Sequence, residues 1–226
     1  MNMHLAPVDL QVKPTRETYD RLQQAYDHFN KALFGNELPN ALITLQRRKG
    51  SFGFFAAERF RNQDGRQADE IALNPAKFEG RPVIDILATL VHEMVHLWQH
   101  HCGHPGRGRY HNREWAAKMT AVGLAPTASG AEGGKETGES VGHLIIAGGP
   151  FEAAANRLIA RNFTIDWKEV QIDPVAGITG EGEAEPESRS GKRVRYACPE
   201  CDLKAWAKHD AHLLCGDHKV PLVPAE

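Results

Sequence analysis

Residues 92–96 read His-Glu-Met-Val-His, two imidazoles four positions apart with a carboxylate directly after the first. On a helix, positions i and i+4 lie one turn apart on the same face, so His92 and His96 can aim ring nitrogens at one cation. Glu93 stands beside that face, close enough to reach a water in an open coordination position without being a ligand itself. Zinc catalyses hydrolysis in such a setting, with three protein ligands, one open position and a bound water whose pKa falls toward ~7. Glu93 would accept that water's proton as it attacks a carbonyl carbon. The pentapeptide lies in the most apolar stretch of the chain, where two histidines and a glutamate are costly to bury unless paired or metal-bound.

The third ligand separates classes of site. The pattern H-E-x-x-H-x-x-G-x-x-H requires glycine at 99 and histidine at 102, but the chain has Gln99 and Cys102, which excludes it. His100 extends the row of His92 and His96, and three ligands in one row on one helix cannot surround a tetrahedral ion. His101 points to another face and His104 falls in a glycine-proline turn, so these three read as solvated surface histidines. The turn "GHPGRGRY" (103–110) lets the chain reverse and bring His111 to the clamp from the opposite side. Glu114 is the alternative third ligand, or an acceptor for the free N–H of a ligating histidine. His111 as ligand with Glu114 as support is the preferred arrangement.

A second constellation closes the chain: Cys198-x-x-Cys201 followed by Cys215-x-x-His218. Two such pairs a dozen or so residues apart have the spacing of a structural zinc ribbon, each pair turning tightly to present its ligands. His209 and His212 are alternatives to His218 as fourth ligand. A thioredoxin-like reading of Cys198 and Cys201 lacks the surrounding β-α-β pattern. Cys102 is left over as an ordinary, partly buried thiol. Arg189, Lys192, Arg193 and Arg195, with Tyr196 and Trp206, form a basic flank that can contact a nucleic-acid backbone and stack on bases, or simply solubilise the small module.

Elements must position these groups. Tyr19, Leu22, Tyr26, Phe29 and Leu33 predict an amphipathic helix capped at Thr15. Segments 41–45, 51–60 and 69–74, separated by "RRKG" and "NQDG", predict a short antiparallel sheet. The apolar run from Val83 to Leu97, with Pro82 at its head, predicts a buried helix carrying His92 and His96. A further helix is expected around 111–123 with Gly123 as its stop, a surface loop over 127–149, and a short helix in "GGPFEAAANRLIA". The acidic, glycine-containing stretch 178–193 reads as a flexible linker between a domain over 1–177 and the ribbon at 194–226.

"HEMVHLWQHHCGHPGRGRYHNREWAAKM", preceded by an aliphatic helix and by "NELP", resembles the SprT-like metalloprotease family, to which the Spartan proteases belong. The resemblance spans about residues 15–125 and continues in the C-terminal zinc ribbon of many members. His92, Glu93, His96, His111, Glu114 and Trp115 fall on the family's pattern; the ribbon's fourth ligand is commonly cysteine there, where this chain has His218. It implies an α+β, zincin-like metalloprotease domain plus a zinc ribbon, one catalytic and one structural zinc, and a protein substrate. It also implies action on proteins crosslinked to DNA, with the ribbon as a DNA-binding accessory. A DNA- or protein-binding regulator with purely structural metal sites is the competing reading, and hydrolysis of a small amide a third.

Composition sets outer bounds. With 226 residues, 41% hydrophobic and 25% charged, the chain can build one ordinary domain and a small appendage. A net charge of -2 provides no global field to recruit nucleic acid or anionic lipid. The N-terminal residues show no basic start followed by an apolar run, and no apolar stretch approaches ~18 residues, so a cytoplasmic protein without membrane spans is expected.

Overall fold

The computed structural model describes residues 12–169, 194–208 and 211–225. The predicted linker 178–193, with Arg189, Lys192 and Arg193, and His209 lie outside the described residues. The chain divides into two compact units, Met1–Asp173 and Pro174–Glu226. Among the described residues, helices and short sheets alternate in a mixed α+β arrangement, and no helix is long and apolar enough to cross a membrane.

The first unit begins with α1 (Pro14–Leu33). Its start is set by Pro14, whose fixed φ suits the first turn. The N-cap is Lys13, which makes no side-chain cap, in place of the expected Thr15. Leu22, Ala25, Tyr26 and Phe29 form its buried stripe. Asn30 secures the following turn by donating from Nδ2 to Leu38 O (3.0 Å) and accepting from Leu38 N (3.2 Å).

Strands β1 (Leu42–Leu45), β2 (Gly53–Arg61) and β3 (Gln67–Leu73) form one sheet in the order β1-β3-β2. The sheet is mixed, which corrects the antiparallel expectation: β2 pairs antiparallel with β3, but β1 runs parallel to it. The reason is burial. Ile71, Ala72 and Leu73 of β3 are almost wholly enclosed, so β3 takes the centre, and the 46–52 connection carries β2 past it to the far edge. Asn74 holds that connection, its Nδ2 donating to Arg48 O and Ser51 O, each at 2.8 Å.

Helix α2 (Val83–Cys102) follows Pro82 and runs through the core, with Leu87, Leu90, Val91, Met94, Val95 and Leu97 no more than 1% exposed. Helix α3 (Arg113–Val122) is capped by Asn112, whose side chain accepts from Trp115 N. Gly123 then ends it in the left-handed conformation, φ 96°. The segment expected as a surface loop is partly structured. Strand β4 (Leu124–Thr127) pairs antiparallel with β5 (Gly142–Ile145), and Ile146 N donates to Gly123 O at 3.0 Å. Helix α4 (Pro150–Ile159) closes the unit, burying Phe151, Ala154 and Leu158. In the second unit β6 (Val194–Ala197), β7 (Lys204–Ala207) and β8 (Val223–Ala225) form an antiparallel sheet in the order β7-β6-β8, around Tyr196, Cys198, Cys215 and Leu222.

Gly123 joins α3, β4 and α4. A Cβ there would lie 2.7 Å from Phe151 N and 3.0 Å from Pro150 N, in addition to the left-handed strain. Gly123→Ala is therefore expected to destabilise the first unit by about 2 kcal/mol or more, read as a fall of several degrees in its thermal midpoint. An unchanged midpoint would refute the close packing at this joint.

Candidate metal centre

One turn of α2 separates His92 from His96, and both rings meet His111 arriving from the segment before α3. Ligand atoms of these three lie within 4.8 Å of one another, and His96 Nε2 is 3.1 Å from His111 Nε2. Zn–N bonds of about 2.05 Å give a tetrahedral edge of roughly 3.3 Å, so that separation fits two nitrogens sharing one ion. The indole of Trp115, fully buried, packs against all three imidazoles, with centroid distances of 5.0, 5.2 and 4.2 Å to His92, His96 and His111.

Burial shapes the protonation of the group. Desolvation, reinforced by the neighbouring histidines, holds His92 well below the ordinary imidazole range, and burial together with His111 takes His96 down to about 3. Burial also lowers His111, against the opposing effect of its bond to Gly138. At neutral pH the three rings are uncharged and their lone pairs need not shed protons before taking a cation. Glu93 is buried on the same helix and its carboxyl is pushed up to about 8 by desolvation, partly countered by Arg48. A cation at the histidines would counter that rise as well. Gly53 of β2 approaches so closely that an added Cβ would be 3.2 Å from Glu93 Oε1 and 2.8 Å from Ala72 O. The edge strand thus runs directly past the carboxylate.

His111 is fixed from two directions. Its backbone forms an isolated bridge with Gly138, and its Nδ1 stands 3.0 Å from Gly138 O, which sets Nδ1 as the protonated nitrogen and leaves Nε2 free toward His96. Glu114 does not provide this support, contrary to expectation. Its carboxylate accepts from His104 N at 2.6 Å and Gln99 Nε2 at 2.9 Å, and faces His104 Nδ1 at 3.2 Å. These bonds hold the Glu114 carboxyl below its ordinary range. Asn112 completes the clamp, accepting from Gln99 Nε2 at 2.7 Å and donating to His104 O at 2.8 Å. Gln99, Asn112 and Glu114 thereby shape the 103–111 turn and place His111 indirectly.

The other histidines separate as the helical face dictates. His101 leaves the centre and pairs with Asp69, Nε2 to Oδ2 2.6 Å, with His100 alongside, and His104 is exposed. Cys102 is exposed where a partly buried thiol was expected, because it sits on the solvent side of the last turn of α2. One neighbour of the centre was missed altogether. His143, on β5, places Nδ1 3.0 Å from Nδ1 of His92. Burial, with the positive charge of Arg81 nearby, takes it down to about 4. The signal for it was the strand-like "VGHLII", which the surrounding glycine-rich sequence obscured.

In the second unit Cys198, Cys201, Cys215 and His218 converge, again within 4.8 Å, and His212 is exposed outside the group. Cys201 Sγ is 3.9 Å from Cys215 Sγ, and His218 Nδ1 lies 3.8 and 3.6 Å from Cys198 and Cys215 Sγ. Zn–S bonds near 2.3 Å give tetrahedral edges of roughly 3.6–3.8 Å, so the donor set suits zinc. Hydrogen bonding from the His218 backbone and side chain lowers the Cys215 thiol to about 6. Tyr196 is not available for base stacking: it is buried, its hydroxyl donating to Lys208 O and accepting from Ala211 N. Trp206 is 60% exposed.

The segment holding the three histidines and Glu93 also carries the kinship. A profile of the SprT-like family matches residues 22–133. A protein of Salmonella typhimurium described as an uncharacterized protein in the mucB 3' region is 56% identical over 59 residues, covering 26% of this chain and 80% of that protein. The chain belongs to the SprT-like family. No solved structure matches it. A SprT-like chain is a metallopeptidase-type domain, and its two convergent donor groups, three histidines and three cysteines with one histidine, are suited to zinc.

Asn112 caps α3 and braces the turn in front of His111. Asn112→Ala is expected to cost the first unit about 1–2 kcal/mol, measured as a lower urea midpoint with unchanged slope. A midpoint equal to wild type would show that the cap and turn bonds contribute nothing net.

Proposed function

We propose that this SprT-like protein is a zinc-dependent endopeptidase in which His92, His96 and His111 hold the ion and Glu93 is the general base. The observation that carries the reading is the convergence of three uncharged imidazoles, two of them on the helix that also carries the buried Glu93. Zinc bound there would lower the pKa of a coordinated water toward ~7 and polarise a peptide carbonyl. With a cation at the histidines offsetting the rise that burial gives its pKa, Glu93 would take a proton from that water and return it to the leaving amine. Trp115 excludes water behind the rings, and the Gln99–Asn112–Glu114 clamp with Gly138 orients His111. Strand β2 is an edge of its sheet next to Glu93, so an extended peptide can add to it as a further strand. This favours a polypeptide substrate over a small amide. Cys198, Cys201, Cys215 and His218 would hold a second, structural zinc.

DNA-bound or DNA-crosslinked proteins are the proposed substrates, a reading supported by the resemblance to Spartan proteases and by the exposed Trp206 beside Arg195. The competing reading is a DNA- or protein-binding regulator without protease activity, and Glu93 separates the two.

Glu93→Gln is expected to keep full zinc content and thermal stability while lowering cleavage of a histone-like substrate, with or without single-stranded DNA, by at least ~10²-fold. Undiminished cleavage would overturn the assignment of the base, and no cleavage by the wild-type chain would favour the regulator. Elemental analysis is expected to find two zinc ions per chain, one lost in His111→Ala and the other in Cys198→Ser. Retention of both ions by His111→Ala would remove His111 from the site.

A further inference from the structure

We infer that His143 is a positioning residue for the histidine centre: its Nδ1 accepts the Nδ1–H of His92 and so directs the Nε2 lone pair of His92 at the ion. This rests on the proposed metal site. A ligating imidazole gives one nitrogen to the metal, and its other nitrogen carries a proton that needs an acceptor, whose identity fixes the ring's tautomer and orientation. For His111 that acceptor is Gly138 O. For His92 the group at hydrogen-bond distance is His143 Nδ1, at 3.0 Å, and among the described residues no other hydrogen-bond partner of His92 is seen.

Two neutral imidazoles meeting Nδ1 to Nδ1 must divide the roles, one donating and one accepting. With His92 Nδ1 protonated, His143 presents a lone pair at Nδ1 and carries its own proton on Nε2. His143 is not itself one of the converging ligands, since the set that comes together there is His92, His96 and His111. Its own strand holds it in place. It lies in β5 opposite Pro126 of β4, and the hairpin is bonded at its base to the end of α3 through Ile146 N and Gly123 O. The ring contacts His92 at a centroid distance of 5.2 Å and an interplanar angle of 46°. The match to the SprT-like family ends at residue 133, so this acceptor is supplied by sequence beyond the matched segment.

The test is zinc affinity of the full chain, by competition with a chromophoric chelator, in wild type, His143→Leu and His143→Asn. Leu fills similar space without an acceptor, and the Asn carbonyl oxygen can take the same N–H. The Leu variant is expected to bind zinc at the histidine centre 10- to 100-fold more weakly, with zinc at the cysteine cluster unchanged, and the Asn variant to recover most of the loss. Wild-type affinity in His143→Leu, or equal weakening in both variants, would overturn the inference. Nitrogen-15 spectra of the zinc-loaded wild-type chain decide the matter without any variant: His92 is expected to show a protonated Nδ1 and a metal-bound Nε2, and metal-bound Nδ1 would overturn it. A wild-type chain that binds no zinc beyond that of the cysteine cluster would overturn the metal reading itself, an outcome distinct from zinc bound at that centre without help from His143.

Discussion

Helix α2 carries ionisable groups into a place where charge is expensive. His92 and Glu93 are buried on the same helix as Leu90, Val91, Met94, Val95 and Leu97, and a charged imidazole or a lone carboxylate there would forfeit hydration without compensation. The structure answers by keeping the imidazoles neutral and the carboxyl easily protonated. Everything around the helix follows from maintaining that arrangement. Trp115 packs against the three rings, the 103–111 turn returns His111 to the same spot, and His143 of the β4–β5 hairpin meets His92.

The same constraint separates two kinds of support. The imidazoles are oriented by acceptors that carry no charge, a backbone carbonyl at His111 and a ring nitrogen at His92. The charged network of Glu114 lies one layer out, where solvent reaches it. A carboxylate placed directly behind a ligating ring would make that ligand more basic, but it would add a second buried charge next to Glu93. Gln99 bridges the layers, buried on α2 yet bonded to both Asn112 and Glu114.

What could be read from sequence was local. The i, i+4 spacing of His92 and His96, the apolar period of α2, the glycine stop of α3 and the Cys-x-x-Cys and Cys-x-x-His pairs of the second unit depend on neighbours a few residues apart. His111 needed only the inference that a glycine-rich turn reverses the chain. His143 could not be found that way, because its position depends on β5 pairing with β4 across fourteen intervening residues, 128–141, of mostly small and polar composition. The parallel pairing of β1 and β3 was equally non-local, decided by which strand could be enclosed on both faces. Tyr196 and Cys102 show the other limit: composition located them near interesting chemistry, and only packing established that one is enclosed and the other open.

The two donor groups also differ in what can damage them. The three converging side chains of the first centre, His92, His96 and His111, and the neighbouring His143 are all imidazoles, which peroxide and disulfide exchange attack poorly. The second group instead contains three thiols, Cys198, Cys201 and Cys215, the side-chain type that oxidation converts to sulfenic acid or disulfide. Oxidative stress would therefore strike the small appendage first and leave the imidazole centre chemically whole, so that the two units of one chain answer to different conditions in their surroundings.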